Sequence, residues 1–159
     1  QIDLEGFSSN YYLAMASWCQ LKGYNGVAAF LYHHSDEERT HMLKLFHYIN
    51  DRGGHGIVPA FAAPRNEFSN IHEIFDIVLS HEIKVSNEIN ALVELCIQEK
   101  DYTTHNFLQW YVAEQIEEET LARNVLDKLR LIGEDKGGMY LFDRDLEAST
   151  TTSKKGGHH

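Results

Sequence analysis

Four long stretches of this chain repeat their apolar residues every three or four positions, and a single long stretch between them lacks that period. An all-α bundle is the architecture such a pattern can close. In the first, Gln1 to about Leu21, Leu4, Phe7, Tyr11, Met15 and Trp18 carry the stripe, and Lys22-Gly23 ends it. The second runs from near Asn25 to Arg52, through Phe30, Leu31, His34, Leu45, Phe46 and Ile49, and Gly53-Gly54 stops it. The third starts after Asn70, with Glu73 completing a capping signal, and reaches about Lys100 through Ile74, Val78, Val85, Ile89, Leu92 and Cys96. The fourth follows a tight break at Asp101-Tyr102, is capped by Thr103 or Thr104, and continues through Phe107, Tyr111, Leu121 and Leu129 to Gly133.

The unpatterned stretch, Gly53 to Ser69, holds both prolines, Pro59 and Pro64. Extended at roughly 3.3 Å per residue it spans about 56 Å, whereas a helix of about 28 residues is only about 42 Å long. It can run the full length of the bundle, so the expected fold is a four-helix bundle with one long crossover, helices two and three lying parallel. Gly137-Gly138 reads as a turn and Met139 to Ala148 as a short fifth helix. The Ser/Thr tract after it reads as disordered. The expected organisation is one domain over 1–148 and a flexible tail over 149–159. His158 and His159 resemble a tag remnant and enter no metal argument. Residue 1 falls inside the first helical pattern, without an initiator Met, so that helix reads as continuing before it.

Polar residues inside the apolar stripes carry the chemistry. Glu38 and His41, three apart, leave the same face of the second helix and can grip one cation. By itself Glu-x-x-His more often marks two solvated residues. Glu5, Glu82, and the run Glu114, Gln115, Glu117, Glu118 change that balance, because each lies in its own amphipathic stretch. A carboxylate on an apolar face carries a desolvation penalty unless it is paired or binds a metal. Oxygen donors with one imidazole and no thiolate suit iron or manganese, and carboxylates can bridge two such ions. Di-iron bundles carry two Glu-x-x-His motifs; here the second is Gln115-x-x-Glu118, and the neutral amide weakens retention at one position, as suits iron in transit. Glu37, Glu114 and Glu117 add acidic charge beside this set, equally readable as a solvated charge run. Tyr12, two turns from Glu5, fits a core position at least as well as a redox one. His33, His34 and His47 lack a carboxylate at the needed spacing in the other helices and read as polar or packing residues.

With 24 acidic against 14 basic residues and a formal net charge of −10, the chain repels nucleic acid and anionic membrane and attracts cations. Cys19 and Cys96 stand apart, as inert thiols of a reducing compartment do. No apolar run is long enough to cross a bilayer and no signal-peptide pattern opens the chain. A cytoplasmic protein without nucleic-acid or membrane partners is expected.

The segments QIDLEGFSSNYYLAM, HHSDEERTHMLKLF, HEIKVSNEIN and YTTHNFLQWYVAEQIEEE resemble the four helices of the non-haem bacterial ferritins, over nearly the whole chain. The resemblance implies a homo-oligomeric hollow shell of about 24 subunits that oxidises Fe(II) with dioxygen or peroxide and stores Fe(III) mineral. It implies a first iron held by Glu5, Glu38 and His41, and a second held by Glu38, Glu82 and Glu118, with Glu38 bridging and Gln115 supporting by hydrogen bonds. It implies a third iron at Glu37, Glu114, Glu117 and Glu118, and Tyr12 as the tyrosine that donates an electron. Trp110 matches the family's FLQWYVAEQ stretch and reads as packing. The haem-binding relatives carry a methionine directly after the helix-two glutamate; Arg39 stands there, so no haem is expected. Rival readings are a storage-only shell subunit, a di-iron oxidase or peroxidase that keeps its metals, and a plain bundle with incidental carboxylates.

Overall fold

The computed structural model describes the backbone of residues 1–156 and the side chains of residues 1–152. Five helices follow in order: α1 Ile2–Leu21, α2 Asn25–Asp51, α3 Ile71–Gln98, α4 Tyr102–Ile132 and α5 Lys136–Gly156. The first four match the sequence period to within a few residues. None of the described helices is long and apolar enough to cross a membrane. The chain divides into two compact units, Gln1–Ile71 with Ile132–His159, and His72–Leu131.

In the first unit α1 and α2 are antiparallel neighbours. Ser9 and Ser35 join them by reciprocal bonds, each hydroxyl donating to the other's backbone carbonyl at 2.8 and 2.7 Å. Nearer the connecting turn, Tyr32 donates to Gln20 Oε1 at 2.8 Å. Small residues allow this close approach. Two partly buried backbone carbonyls within helices accept a second donor, a use of their remaining lone pairs. Tyr12, Met15, Val27 and Leu31 are among the most deeply buried side chains, each worth about 1.5–3 kcal/mol of apolar transfer where an aliphatic chain is buried whole.

The connection between α2 and α3 is not slack. A Cβ at Gly6 would collide with the ring of Phe61. Further along, Phe68 meets Tyr11 and Trp18 edge-on at 6.3 and 6.0 Å, and Arg65 sits over the Phe68 ring at 5.0 Å. The segment therefore tracks along α1 from its second turn to its last. On this helix Tyr12 is wholly buried, while Phe7 and Tyr11 are half-covered.

Two capping assignments differ from the sequence reading. Helix α4 begins at Tyr102, because Asp101 is the cap: its Oδ1 accepts the Thr104 N–H at 3.0 Å and its Oδ2 the Thr104 hydroxyl at 2.6 Å. The fifth helix is more than twice as long as expected. Asp135 Oδ2 accepts the Gly138 N–H at 2.6 Å, so the glycine pair lies inside the first turn and is no break. At the other end Thr150, Thr151 and Thr152 each donate their hydroxyl four residues back, at 3.0 Å. Their polar groups are satisfied within the helix, and Phe142, Leu146 and Thr150 form its buried stripe. The tract expected to be disordered is thus helical through Thr152, while His158 and His159 lie outside the described residues.

Asp143 of α5 supplies what α2 lacks. Tyr24, at the N-cap of α2, makes no side-chain cap bond. Asp143 Oδ1 instead accepts the Val27 N–H at 2.8 Å from across the fold. A Cβ at Gly26 would overlap the Asp143 carbonyl oxygen, so only glycine lets α5 come this near. Asp143→Ala is expected to destabilise the protein by about 1–2 kcal/mol, with Asp143→Asn intermediate; thermal or urea unfolding of the three proteins measures it.

Candidate metal centre

The helical stripe that buries α2 includes Val27, Leu31, His34, Glu38, His41 and Leu45. Three-and-four spacing thus carries Glu38 and His41 inward with the apolar residues. On α1 the same geometry buries Glu5, Ser8 and Tyr12. Glu5, Glu38 and His41 are only 0, 2 and 7 % exposed. One ligand atom from each lies within 4.8 Å of the other two. His41 Nδ1 stands 3.8 Å from Glu5 Oε2 and 3.6 Å from Glu38 Oε2.

These distances are too long for good hydrogen bonds and leave room for an ion between the donors. Gln1 Nε2 donates to Glu5 Oε1 at 2.7 Å, which orients the carboxylate, while buried Oε2 makes no hydrogen bond. Burial pushes the Glu5 carboxyl up. Glu38, His41 and Gln1 outweigh it and hold the group below its ordinary value. Glu5 is therefore a carboxylate at neutral pH, the form that coordinates a cation.

In the second unit the buried stripe of α4 runs Leu108, Tyr111, Gln115, Glu118, Ala122, Val125 and Leu129. On α3 Glu82 occupies the same kind of position between Val78 and Val85. Gln115 Nε2 donates to Glu82 Oε2 at 2.6 Å and to the Glu82 carbonyl at 2.9 Å. His72 Nε2 lies 3.1 Å from the Leu129 carbonyl oxygen. The two pairs run in opposite order along α3 and α4, so the helices are antiparallel. An amide fixed by two acceptors on one residue holds the Glu82 carboxylate in a single orientation.

The remaining expected site residues fall into three groups. Glu118 is buried, one turn beyond Gln115. Glu37 and Glu114 are half-buried and Glu117 is exposed. Tyr12 is buried, its ring stacked on that of His34 at 5.6 Å with 28° between the planes. From the sequence His33 and His34 read as polar or packing residues, for want of a carboxylate at the needed spacing on other helices. Their partner is on their own helix: Glu37 lies 3.0 Å from His33 Nε2 and 3.5 Å from His34 Nδ1. The i,i+3 and i,i+4 spacing was the signal that could have found it.

Gln115→Leu removes two donors from a buried carboxylate residue. It is expected to lower the unfolding free energy by about 1.5–3 kcal/mol, and denaturant unfolding measures it.

Residues 1–132 match the family model for the ferritin-like domain. The chain is 46 % identical over 146 residues to a Haemophilus influenzae protein named probable bacterial non-heme ferritin-like protein, covering 92 % of this chain and 88 % of that one. It is 41 % identical over 155 residues to the bacterial non-heme ferritin of Campylobacter jejuni, covering 98 % of this chain and 93 % of that one. An open pore ferritin from Archaeoglobus fulgidus superposes with a TM-score of 0.91 at 41 % identity, over 92 % of this chain and 90 % of that one. All-α architecture, helix stripes that bury carboxylates and a histidine, and these similarities agree, and the chain belongs to the ferritin family.

Proposed function

We propose that this protein is a cytoplasmic ferroxidase subunit that oxidises ferrous iron at a di-iron site within each chain and passes the ferric product to a mineral store. Iron storage follows from membership of the ferritin family. The observation that carries the oxidase reading is the triad of Glu5, Glu38 and His41, wholly buried, with ligand atoms gathered within 4.8 Å. Three such groups without a cation leave a costly concentration of charge and polarity in the core. A divalent ion offsets it.

In this reading iron is the substrate. Glu5, Glu38 and His41 take the first ion; Glu38, Glu82 and Glu118 take the second, Glu38 bridging. Gln115 orients Glu82, which the bonds of 2.6 and 2.9 Å support. Each ferrous ion gives up one electron. The pair reduces dioxygen to the level of hydrogen peroxide, or hydrogen peroxide to water, and becomes two ferric ions. The protein holds both ions against one oxidant and leaves coordination positions open for it. Glu37, Glu114, Glu117 and Glu118 receive a third iron; when it and Tyr12 each give one further electron, four electrons and four protons in all take dioxygen to two waters, and Tyr12, having lost an electron and its phenol proton, is left as a neutral radical. Residues 1–148 act as one domain, in a shell of about 24 copies as in the family's usual assembly. The excess of acidic residues, net −10, favours cation entry.

A fixed-cofactor oxidase would keep its metals; neutral Gln115, standing where a second Glu-x-x-His would supply a histidine ligand, argues for release. The two readings separate on one measurement. Excess ferrous iron is added in air to the metal-free protein, followed by gel filtration and an iron count. We expect far more iron per chain than the three proposed sites can hold, eluting with a very large particle; a few irons on a small oligomer would overturn storage. His41→Ala is expected to assemble normally and to oxidise iron more than about tenfold slower at first mixing, and parental initial rates in that variant would remove the oxidase assignment.

A further inference from the structure

Two histidines of α2 converge on a single carboxylate, and one of them also meets Tyr12. His33 Nε2 is 3.0 Å from Glu37 Oε1, and His34 Nδ1 is 3.5 Å from Glu37 Oε2, so each imidazole addresses a different oxygen. The His33 and Glu37 side chains are partly open to solvent, and that of His34 is buried. The His34 ring lies against two others: stacked on Tyr12 at 5.6 Å and 28°, and tilted against Phe30 at 4.4 Å and 54°. One nitrogen of His34 thus faces Glu37 while its ring face covers Tyr12.

We infer that His34 is a positioning residue that sets both the Glu37 carboxylate for its iron and the Tyr12 ring for electron transfer. The inference rests on the roles proposed above for Tyr12 and Glu37. A glutamate has three rotatable side-chain bonds, and a carboxylate within hydrogen-bond distance of one imidazole and in looser polar contact with a second samples fewer orientations than one touched at a single oxygen. Partly exposed His33 makes the shorter contact; buried His34, packed against Phe30, limits the carboxylate's swing from the other side. For Tyr12, a parallel aromatic neighbour fixes the plane of the ring, and with it the direction of the phenol oxygen. Both effects act through packing and geometry. Neither requires His34 to bind iron or to exchange a proton.

Two substitutions in the full-length shell separate the functions. His34→Phe keeps a ring against Tyr12 and Phe30 and removes the nitrogen facing Glu37. His34→Asn places an amide atom near the position of Nδ1 and removes the ring. The readouts are ferrous ions bound per chain in anaerobic titration, and the electron paramagnetic resonance signal of a tyrosyl radical after ferrous-loaded protein meets air. The Phe variant is expected to bind its third iron about 10-fold more weakly, with the parent's radical signal. The Asn variant is expected to keep the third iron and to give a weaker or broader radical signal. A Phe variant that binds three irons like the parent, or an Asn variant with the parent's radical in full, overturns the inference. If one variant fails to assemble, the other decides. A parent that binds two irons and gives no tyrosyl radical refutes the roles of Glu37 and Tyr12, and the inference with them, whereas a parent showing both and variants showing no difference refutes the positioning role alone.

Discussion

The structure depends on the burial of carboxylates in positions that apolar residues would otherwise fill. Glu5, Glu38, Glu82 and Glu118 each occupy the inward stripe of a helix, in register with leucines and valines. Removing an ion of this size from water has an effective cost of several kcal/mol even after the protein relaxes. The molecule meets it in two ways. Glu82 is held by a glutamine that spends both amide hydrogens on it. Glu5 has one oxygen bonded to Gln1 and the other turned toward Glu38 and His41. The first arrangement is complete without metal. The second leaves a gap between its donors that a cation would fill, and that asymmetry is where the proposed function enters the fold.

Around this cost the rest of the chain provides rigidity. Reciprocal serine bonds lock α1 to α2 just beyond Glu5 and just before Glu38. Phe61 and Phe68 press the long connection onto α1. Asp143 caps α2 from α5, fixing the start of the helix that carries most of the site. A ligand displaced by an ångström loses a metal's geometry, so these distant fastenings belong to the chemistry as much as to stability. His34 extends the principle inward, joining a buried aromatic ring to a carboxylate at the site's open side.

Much of this was legible in the residues. The number of helices and the spans of the first four follow from the three-and-four period, because a helix that must bury one face has to repeat at that interval. The same period exposes Glu38, His41, Glu82, Gln115 and Glu118 as polar residues in apolar places. Less legible were features that join distant positions. Asp101 and Asp135 do not stand out as caps in the sequence, because flanking threonines and glycines offer equally good local signals. The Ser/Thr run after Ala148 has the composition of a disordered tail, yet each of three consecutive hydroxyls finds a carbonyl four residues back.

The sequence by itself determined the class of fold and which polar side chains are candidates for a metal, since both depend on local periodicity and on the chemistry of oxygen donors. Only the tertiary structure decided which of those side chains meet. It brought Glu5 of α1 to Glu38 and His41 of α2, paired Gln115 with Glu82, and set His34 between Tyr12 and Glu37. It also assigned Asp143 to the end of a helix 116 residues away. Contacts of that kind are fixed by how helices rotate and slide against one another, and that depends on the summed packing of whole faces, which no single stretch of sequence encodes.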